Sequence, residues 1–389
     1  MRAWVRRLWE NDPRRDPNSL TYVLLVLFAI LFPVFANLIS GGNPGFLITF
    51  MADGGVYLLL ALGLNVVVGM AGLLDLGYAA FFAIGAYTYA FLASEHLQVT
   101  PLATSLHIPF WFVLIIALFV AAGFGVILGA PTLRLRGDYL AIVTLGFGEI
   151  VPRVFKNAST WTSGVNGISA LDTPQLPFWI QGPWSGDPLG VVQNFKIYDP
   201  LAYYVIMVIL LLICTLLVRN LQNSRMGRAW AAIREDEVAA AAMGVNTVQA
   251  KLLAFAIGAA FSGFAGTYYG AKLSLVSPEN FGFSVSITVL VMVVLGGMGN
   301  IPGVLLGALL LYFVTFYFLP QLPGWMTSMF NSDVGEFASR LKFLVFGLIL
   351  VVVMLVRPEG LLPSRERQQE LKKGTRDDTV IEDVTAEVT

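Results

Sequence analysis

The chain has 389 residues, of which 57% are hydrophobic and 13% are charged, whereas about 25% of the residues in ordinary soluble proteins are charged. The mean hydropathy is +0.73, and the formal net charge is only −1. This composition excludes a soluble enzyme, a nucleic-acid-binding protein and a disordered chain. It indicates a protein that crosses a lipid bilayer several times.

Long apolar segments follow one another along most of the sequence. A helix needs about 20 apolar residues to cross about 30 Å of hydrocarbon, and ten segments meet or approach that length. We therefore predict an all-α polytopic membrane protein with about ten transmembrane helices, in a transmembrane domain, 20–361, between a basic segment, 1–19, and a polar tail, 362–389. The predicted spans are 20–39, 48–70, 77–95, 109–130, 139–152, 201–218, 250–271, 284–300, 302–320 and 341–356.

The basic residues predict the orientation of these spans. If the N-terminus lies in the cytoplasm, 18 of the 24 Lys and Arg residues fall on the cytoplasmic side, as the positive-inside rule requires. Ten spans is an even number, so both termini are predicted to be cytoplasmic. Segment 153–200 is then a long external loop with several tryptophans, either an interfacial lid or a docking surface for an external partner.

The longest predicted cytoplasmic segment between two spans, 219–250, is predicted to contain two short helices. Its first part, from Met226 to about Ile233, consists of good helix formers. Asp236 can cap a second helix, Glu237 to Met243, and Gly244 suits a left-handed position that ends it. Such a loop can dock into a groove of another protein, or it can lie as an amphipathic helix on the lipid headgroups.

Polar side chains within or between the predicted spans are candidates for a substrate pathway. Asp75 is the ionisable candidate, because charged groups inside a membrane are costly. An apolar zwitterion needs only hydroxyls and an amide along its path, although each such group can instead bond two helices together. The uncharged candidates are Asn65, Thr144, Ser262, Thr267, Tyr268 and Ser286. The sequence shows no metal-binding cluster and no phosphate-binding Gly-x-x-x-x-Gly-Lys-Ser/Thr loop.

Five stretches resemble the permease subunits of bacterial branched-chain amino acid ABC transporters, and in particular the longer, M-type subunit. They are GLNVVVGMAGLLDLGYAAFFAIGAY at 63–87, LRLRGDYLAIVTLGFGEI at 133–150, SRMGRAWAAIREDE at 224–237, LGGMGNIPG at 295–303 and RPEGL at 357–361. Their order and spacing carry the resemblance, which covers nearly the whole chain.

The resemblance implies an all-α permease of the bacterial cytoplasmic membrane that works with several partners. These are a second, similar permease subunit, two ATP-binding subunits on the cytoplasmic face and an external substrate-binding protein. The chain itself would be no enzyme and would bind no cofactor, because ATP is used by the partner subunits. ATP binding would close the ATP-binding subunits and rock the transmembrane bundle through the cytoplasmic loop.

The stretch 224–244 is similar to the coupling loop of this family. Ala239, Ala240 and Gly244 fit the Ala-Ala-x-x-x-Gly core of the importer signature, but Val238 stands where a Glu is usual and Glu237 comes one position early. The Ile-x-Leu-Pro end of the signature is absent. The residues expected to serve coupling are Ser224, Gly227, Arg228, Arg234, Glu235, Asp236, Glu237, Ala239, Ala240 and Gly244.

Other functions are open from the sequence. Related permeases carry urea, short amides or nucleosides, so the substrate is the least determined part of the prediction. A stand-alone secondary carrier would have coupling-ion residues deep in the bilayer and inverted repeats, and neither is evident. A membrane enzyme would need a nucleophile–base pair or a metal set, and the sequence offers neither.

Overall fold

A computed structural model describes residues 19–41, 43–98, 100–101, 104–132, 138–174, 200–321, 323–324, 347, 351 and 360–362. The helices are α1 (Ser19–Ile39), α2 (Gly45–Leu64), α3 (Tyr78–Leu92), α4 (Phe110–Thr132), α5 (Asp138–Asn157), α6 (Ser159–Thr162), α7 (Pro200–Gln222), α8 (Arg225–Glu235), α9 (Glu237–Ala242), α10 (Thr247–Leu273), α11 (Phe283–Gly296) and α12 (Ile301–Phe313). Two of them continue as wider π-helical segments, α2 through Asn65–Met70 and α12 through Val314–Phe318.

Seven helical stretches in the described part of the chain are long and apolar enough to cross a membrane. They are Thr21–Ile39, Gly45–Met70, Phe110–Thr132, Pro200–Gln222, Thr247–Leu273, Pro278–Gly296 and Ile301–Gln321. The all-α polytopic prediction is therefore confirmed, and the seven stretches match seven of the predicted spans.

The other three predicted spans have different outcomes, so the count of ten remains a prediction. The third corresponds to α3, which is apolar but has only 15 residues. The fifth corresponds to α5, whose 20 residues include four charged ones. The tenth, 341–356, lies almost entirely outside the described residues.

Helix α10 forms the centre of the bundle, packed between α3 and α4, and more of its length is buried than in any other of the seven candidate spans. Small residues allow this packing. A Cβ atom built on Gly85 of α3 would lie 2.2 Å from the carbonyl oxygen of Gly263 in α10. One built on Gly266 would lie 2.3 Å from the carbonyl oxygen of Phe82. The backbones of α3 and α10 are thus in direct contact.

Replacing Gly85 with Leu should therefore prevent α3 from packing on α10. The obstructing atoms belong to backbone and cannot rotate away, so we expect a cost of roughly 3 kcal/mol, the upper end for overpacking. Thermal unfolding of the purified protein in mild detergent measures this. Gly123→Leu is the matched control, because no atom lies within 4 Å of a Cβ built there. Equal melting temperatures for the two variants would contradict the close packing of α3 on α10.

At one end of the bundle, two small antiparallel strand pairs connect the helices. β1 (Ala93–Ser94) pairs with β2 (Leu106–His107), and β3 (Ile168–Ser169) pairs with β4 (Leu275–Val276). The Nδ1 atom of His107 lies 2.8 Å from Asp172 Oδ2, and this hydrogen bond and the carboxylate charge raise the pKa of His107. These contacts tie the loops at this end to one another.

Candidate coupling loop and pathway residues

The segment 219–250, which runs from the last turn of α7 to the first turn of α10 and which we call the coupling loop, contains the two predicted short helices. Helix α8 begins after Ser224, whose side chain accepts hydrogen bonds from the backbone N–H groups of Met226 and Gly227. The side chain of Asp236 accepts from Val238 and Ala239 and so caps α9. Gly244 follows α9 with φ of +87°, the left-handed conformation that glycine adopts readily. Both predicted helices are confirmed, with ends that differ by one or two residues.

The side chains of Trp230 and Arg234 hold the coupling loop against the bundle. Trp230 is fully buried and donates from Nε1 to the carbonyl oxygen of Ala250 at 2.7 Å. Arg234 donates from Nη1 to the carbonyl oxygen of Gly69 at 2.7 Å. Because these bonds reach the π-helical end of α2 and the start of α10, a displacement of the loop must move those helix ends with it.

An ion pair completes the attachment. Nζ of Lys251, in the first turn of α10, lies 2.6 Å from Oε1 of Glu237 at the start of α9. The lysine side chain is only 7% exposed. A buried cation of this kind requires its counter-charge, so α9 is bound to α10 by electrostatics as well as by packing.

The ten residues expected to serve coupling fall into two groups of five. One group points into the solvent and can contact a partner: Arg228, Glu235, Asp236, Ala239 and Gly244. The other is buried or half-buried and shapes the loop: Ser224, Gly227, Arg234, Glu237 and Ala240. Gly227 belongs to the second group because a Cβ built on it would lie 2.1 Å from the carbonyl oxygen of Gln222.

Two apolar side chains on α9 and just after it were missed by the sequence prediction. Val238 is 67% exposed and Met243 is 86% exposed. Neither belongs to a candidate membrane span, and apolar side chains held in solvent beside charged ones are typical of protein interfaces. We name Val238, Ala239 and Met243 the docking tip. Val238 and Met243 lie five residues apart, and this spacing was a usable signal of an exposed apolar surface. In a short alanine-rich helix, however, apolar residues fit a buried face equally well.

The candidate pathway residues are all buried within this chain, and three of the seven bond one helix to another. Asn65 Oδ1 accepts from the Gly299 N–H at 2.9 Å, and Ser286 Oγ accepts from the Ala79 N–H at 2.9 Å. The remaining bonds join Ser262 to the Tyr78 carbonyl, Tyr268 to the Tyr203 carbonyl and, within α10, Thr267 to the Gly263 carbonyl. Their role in a pathway stays a prediction, since their hydroxyls already have partners in the chain, whereas Nδ2 of Asn65 is buried without a partner among the described residues.

Asp75 and Thr144 are the two pathway candidates that the fold brings together. They line one small cavity between α3, α4, α5 and α10. Asp75 Oδ1 accepts from the Gly77 N–H at 2.9 Å, and within the described residues its Oδ2 is buried without a partner. Thr144 Oγ1 accepts from the Leu76 N–H at 3.1 Å. The non-helical segment 71–77 between α2 and α3, which we call the break, is thereby bonded to α5.

This break connects the coupling loop to α5. On one side, the side chain of Arg234 lies against Gly72 as well as on Gly69. On the other, the break bonds to Thr144, and a Cβ built on Gly77 would lie 2.0 Å from the Thr144 carbonyl oxygen. Continuous contact therefore runs from α8 to α5.

The outward face of α5 is mixed in character. Tyr139 and Ile142 are exposed, and Arg153 Nη2 lies 3.1 Å from Glu149 Oε2 on the same face. If α5 spans the membrane as predicted, an exposed ion pair on it is costly in lipid, and such groups usually face a water-filled cavity or another subunit. Of the helices described, α5 thus combines a link to the coupling loop with a face suited to an aqueous path.

Comparison with known proteins defines the class to which this fold and loop belong. Residues 46–354 match the model of the family described as "Branched-chain amino acid transport system / permease component". The match covers more than half of the chain, so the chain belongs to this family.

Individual relatives agree with that assignment. The chain is 40% identical to the high-affinity branched-chain amino acid transport system permease protein LivM of Escherichia coli (strain K12), over 92% of this chain and 78% of that protein. It is 27% identical to LivH of Salmonella typhimurium, over 80% and 93%, and 28% identical to BraD of Pseudomonas aeruginosa, over 82% and 95%. No solved structure matches the chain.

Proposed function

We propose that this chain is a membrane-spanning permease subunit of an ATP-driven importer, and that it carries branched-chain or similar small amino acids. The docking tip is the observation that carries the coupling part of this proposal. It presents exposed apolar side chains outside the candidate spans, on a loop that the bundle holds by hydrogen bonds and an ion pair. The names of the relatives support the substrate class, since LivM, LivH and BraD are all branched-chain amino acid permeases.

Four further subunits belong to the proposed assembly. A second, homologous permease subunit pairs with this chain, and two ATP-binding subunits dock on the cytoplasmic side. A binding protein delivers the substrate on the outside. Similarity to both LivM and LivH supports a two-permease system. This chain binds no cofactor in the proposal, and ATP is hydrolysed by its partners.

The proposed mechanism is mechanical. ATP binding closes the ATP-binding subunits and displaces the docking tip. Trp230, Arg234 and the Glu237–Lys251 pair transmit this displacement to α2 and α10, because each holds the loop to a helix end. The break between α2 and α3 then shifts α5 through Thr144. Movement of α5 opens or closes the path for the amino acid.

The proposed location is the bacterial cytoplasmic membrane, with about ten spans and with both termini in the cytoplasm. Contacts between helix ends support this arrangement. Gln222 Nε2 donates to the Gly299 carbonyl at 3.1 Å, and Asn65 accepts from the Gly299 N–H. The ends of α2, α7 and α11 thus share one face with the coupling loop. Lys272 bonds to Asp53 at the opposite end of α10.

Cysteine labelling tests the orientation. Cys214, the single cysteine of the chain, is buried, so an introduced cysteine reports alone. In intact cells, an impermeant maleimide should react with Val165→Cys and should reach Asn246→Cys only after the membrane is permeabilised. Gly182 is a second external position predicted from the sequence, and it lies outside the described residues. Labelling of Asn246→Cys in intact cells would reverse the proposed orientation.

Reconstitution tests the transport function itself. In proteoliposomes containing both permease subunits, the ATP-binding subunits and the binding protein, we expect leucine uptake to require both ATP and the binding protein. The same vesicles loaded with ATP should take up urea no faster than vesicles that contain no protein. Leucine uptake by this chain alone, without ATP, would favour a secondary carrier instead.

A further inference from the structure

Asp53 and Lys272 form an ion pair at the end of the bundle opposite to the coupling loop. Nζ of Lys272, in the last turn of α10, pairs with Oδ1 of Asp53 and donates to the carbonyl oxygen of Thr49 at 3.0 Å. Asp53 belongs to α2 and lies about 12 Å along that helix from its first residue. A charged group at that depth in a membrane span is costly unless it faces a water-filled cavity, a partner subunit or another charge.

The ion pair leaves part of the carboxylate free. The side chain of Lys272 is 9% exposed, whereas that of Asp53 is 36% exposed. Among the described residues, Oδ1 of Asp53 accepts one hydrogen bond and Oδ2 has no partner. An ionised carboxylate can accept about four hydrogen bonds. Asp53 therefore presents an open acceptor that Lys272 holds in position.

Aromatic rings flank this acceptor. Phe50, Asp53 and Tyr57 are three and four residues apart and lie on one face of α2. The ring of Tyr312, from α12, has its centroid 4.7 Å from that of Phe50 and 5.4 Å from that of Tyr57. The ring of Phe316, which is 40% exposed, lies 5.0 Å from that of Tyr57. The carboxylate thus lies on a helix face that is otherwise lined by rings.

Two tyrosine hydroxyls beside the ion pair are also unpaired. Tyr57 follows Asp53 by four residues on α2, and Tyr269 precedes Lys272 by three on α10, so each tyrosine lies on the same helix face as the charged residue. Among the described residues, neither hydroxyl makes a hydrogen bond. The hydroxyl of Tyr268, by contrast, is satisfied within the chain. Unpaired polar groups in the interior of a fold call for a partner, and here they cluster around Asp53.

A free carboxylate oxygen beside aromatic rings is the chemistry that recognises an organic ammonium group. The carboxylate accepts charge-assisted hydrogen bonds, and the faces of the rings attract a cation. The rings also cover an apolar side chain attached to that ammonium group. Given the amino acid import proposed above, on which this assignment rests, we infer that Asp53 binds the α-ammonium group of the transported amino acid on its way through the bundle.

Protection of a nearby cysteine tests this binding without any transport. The assembled transporter is placed in nanodiscs without ATP or binding protein, and modification of Phe316→Cys by a methanethiosulfonate reagent is followed by mass spectrometry. Leucine and isoamylamine both carry the ammonium group and should slow the reaction at least about fivefold at millimolar concentration. Isocaproate, which has the carboxylate but no ammonium group, should not.

The control position for this experiment is Val165→Cys, at a site that is 50% exposed and that none of the three compounds should protect. Equal protection of Phe316→Cys by isoamylamine and isocaproate, or by neither, would overturn the inference. A Phe316→Cys that does not react at all would show that another subunit covers this face, and would overturn it too.

Paired substitutions separate ligand binding from a purely structural ion pair. Asp53→Asn combined with Lys272→Met removes both charges, so no charge is left buried without a partner, and the melting temperature in detergent should change little. Leucine uptake by the reconstituted importer should nevertheless fall roughly tenfold, and protection by isoamylamine should be lost. Asp53→Glu keeps the carboxylate and should retain most of both.

The outcomes of this experiment distinguish the inference from the proposed function. Unchanged leucine uptake by the neutral pair would show that the ion pair is only structural, and Asp53 would not bind the substrate. Failure of the unchanged complex to take up leucine with ATP and the binding protein would contradict the proposed function instead. In that case, protection of Phe316→Cys by isoamylamine but not by isocaproate would still assign an ammonium site to Asp53.

Discussion

Replacing Met243 with Asp should abolish ATP-driven uptake while leaving the chain in the membrane. Met243 is 86% exposed at the docking tip, so the substitution removes no contact within the chain. In the proposed complex it places a carboxylate in an apolar groove of an ATP-binding subunit. Loss of a central interface residue costs at least about 2 kcal/mol, which is roughly a thirtyfold loss of affinity. Vesicle uptake and co-purification of the ATP-binding subunit measure the effect.

The control for this prediction keeps the side chain apolar. Met243→Leu nearly conserves volume and should transport at close to the unchanged rate. If Met243→Asp transported as well as Met243→Leu, the docking tip would have no role in coupling. The amount of chain in the membrane is measured alongside uptake, because a variant that failed to reach the membrane would lose both.

Replacing Glu237 with Gln should detach α9 from the start of α10. Lys251 would remain buried without a counter-charge, and breaking a buried ion pair in this way costs about 3 kcal/mol. Because the cost is local, it should appear as local opening of the coupling loop. We expect trypsin to cut at Arg225 and Arg228, both exposed, roughly a hundredfold faster than in the unchanged protein.

A second substitution separates this electrostatic cause from a general defect. Glu237→Gln combined with Lys251→Met removes both charges and places an apolar chain in the buried site, so cleavage should return towards the original rate. Cleavage of the double variant as fast as that of Glu237→Gln would show that the ion pair does not hold the loop.

The coupling loop could be predicted closely because its structure is determined locally. Ser224 and Asp236 cap the helices that follow them, and Gly244 has the positive φ expected of it. Such signals depend on residues two or three positions apart and need no knowledge of the rest of the fold. The long spans were predictable for a similar reason, since their apolar length alone identifies them.

The pathway candidates show what sequence patterns do not contain. Ser262, Tyr268 and Ser286 were selected as polar groups near a possible path, and each lies buried in contact with another helix. Which face of a membrane helix meets a neighbour depends on rotations and crossings that involve residues far apart in the chain. A polar side chain can bond a substrate or a neighbouring helix equally well, so its polarity does not tell which of the two it does.

Helix α5, which corresponds to the fifth predicted span, has a weak apolar signal. Its charged residues reduce its hydropathy, so it reads as a short, weak span. In the fold Glu149 and Arg153 form an ion pair on an exposed face, and Thr144 and Gly148 of the same helix lie against the break between α2 and α3. The low hydropathy of α5 thus reflects charged side chains on one side of the helix.

Site-specific crosslinking from the docking tip tests the coupling mechanism most directly. A photoreactive amino acid at position 243 of the assembled transporter in membranes will react with whatever lies beside it. We predict crosslinks to an ATP-binding subunit, stronger with ATP bound than without nucleotide, and none from the same amino acid at Val165. Crosslinks from position 243 to lipid alone would place the loop on the headgroups and contradict its role as the coupling element.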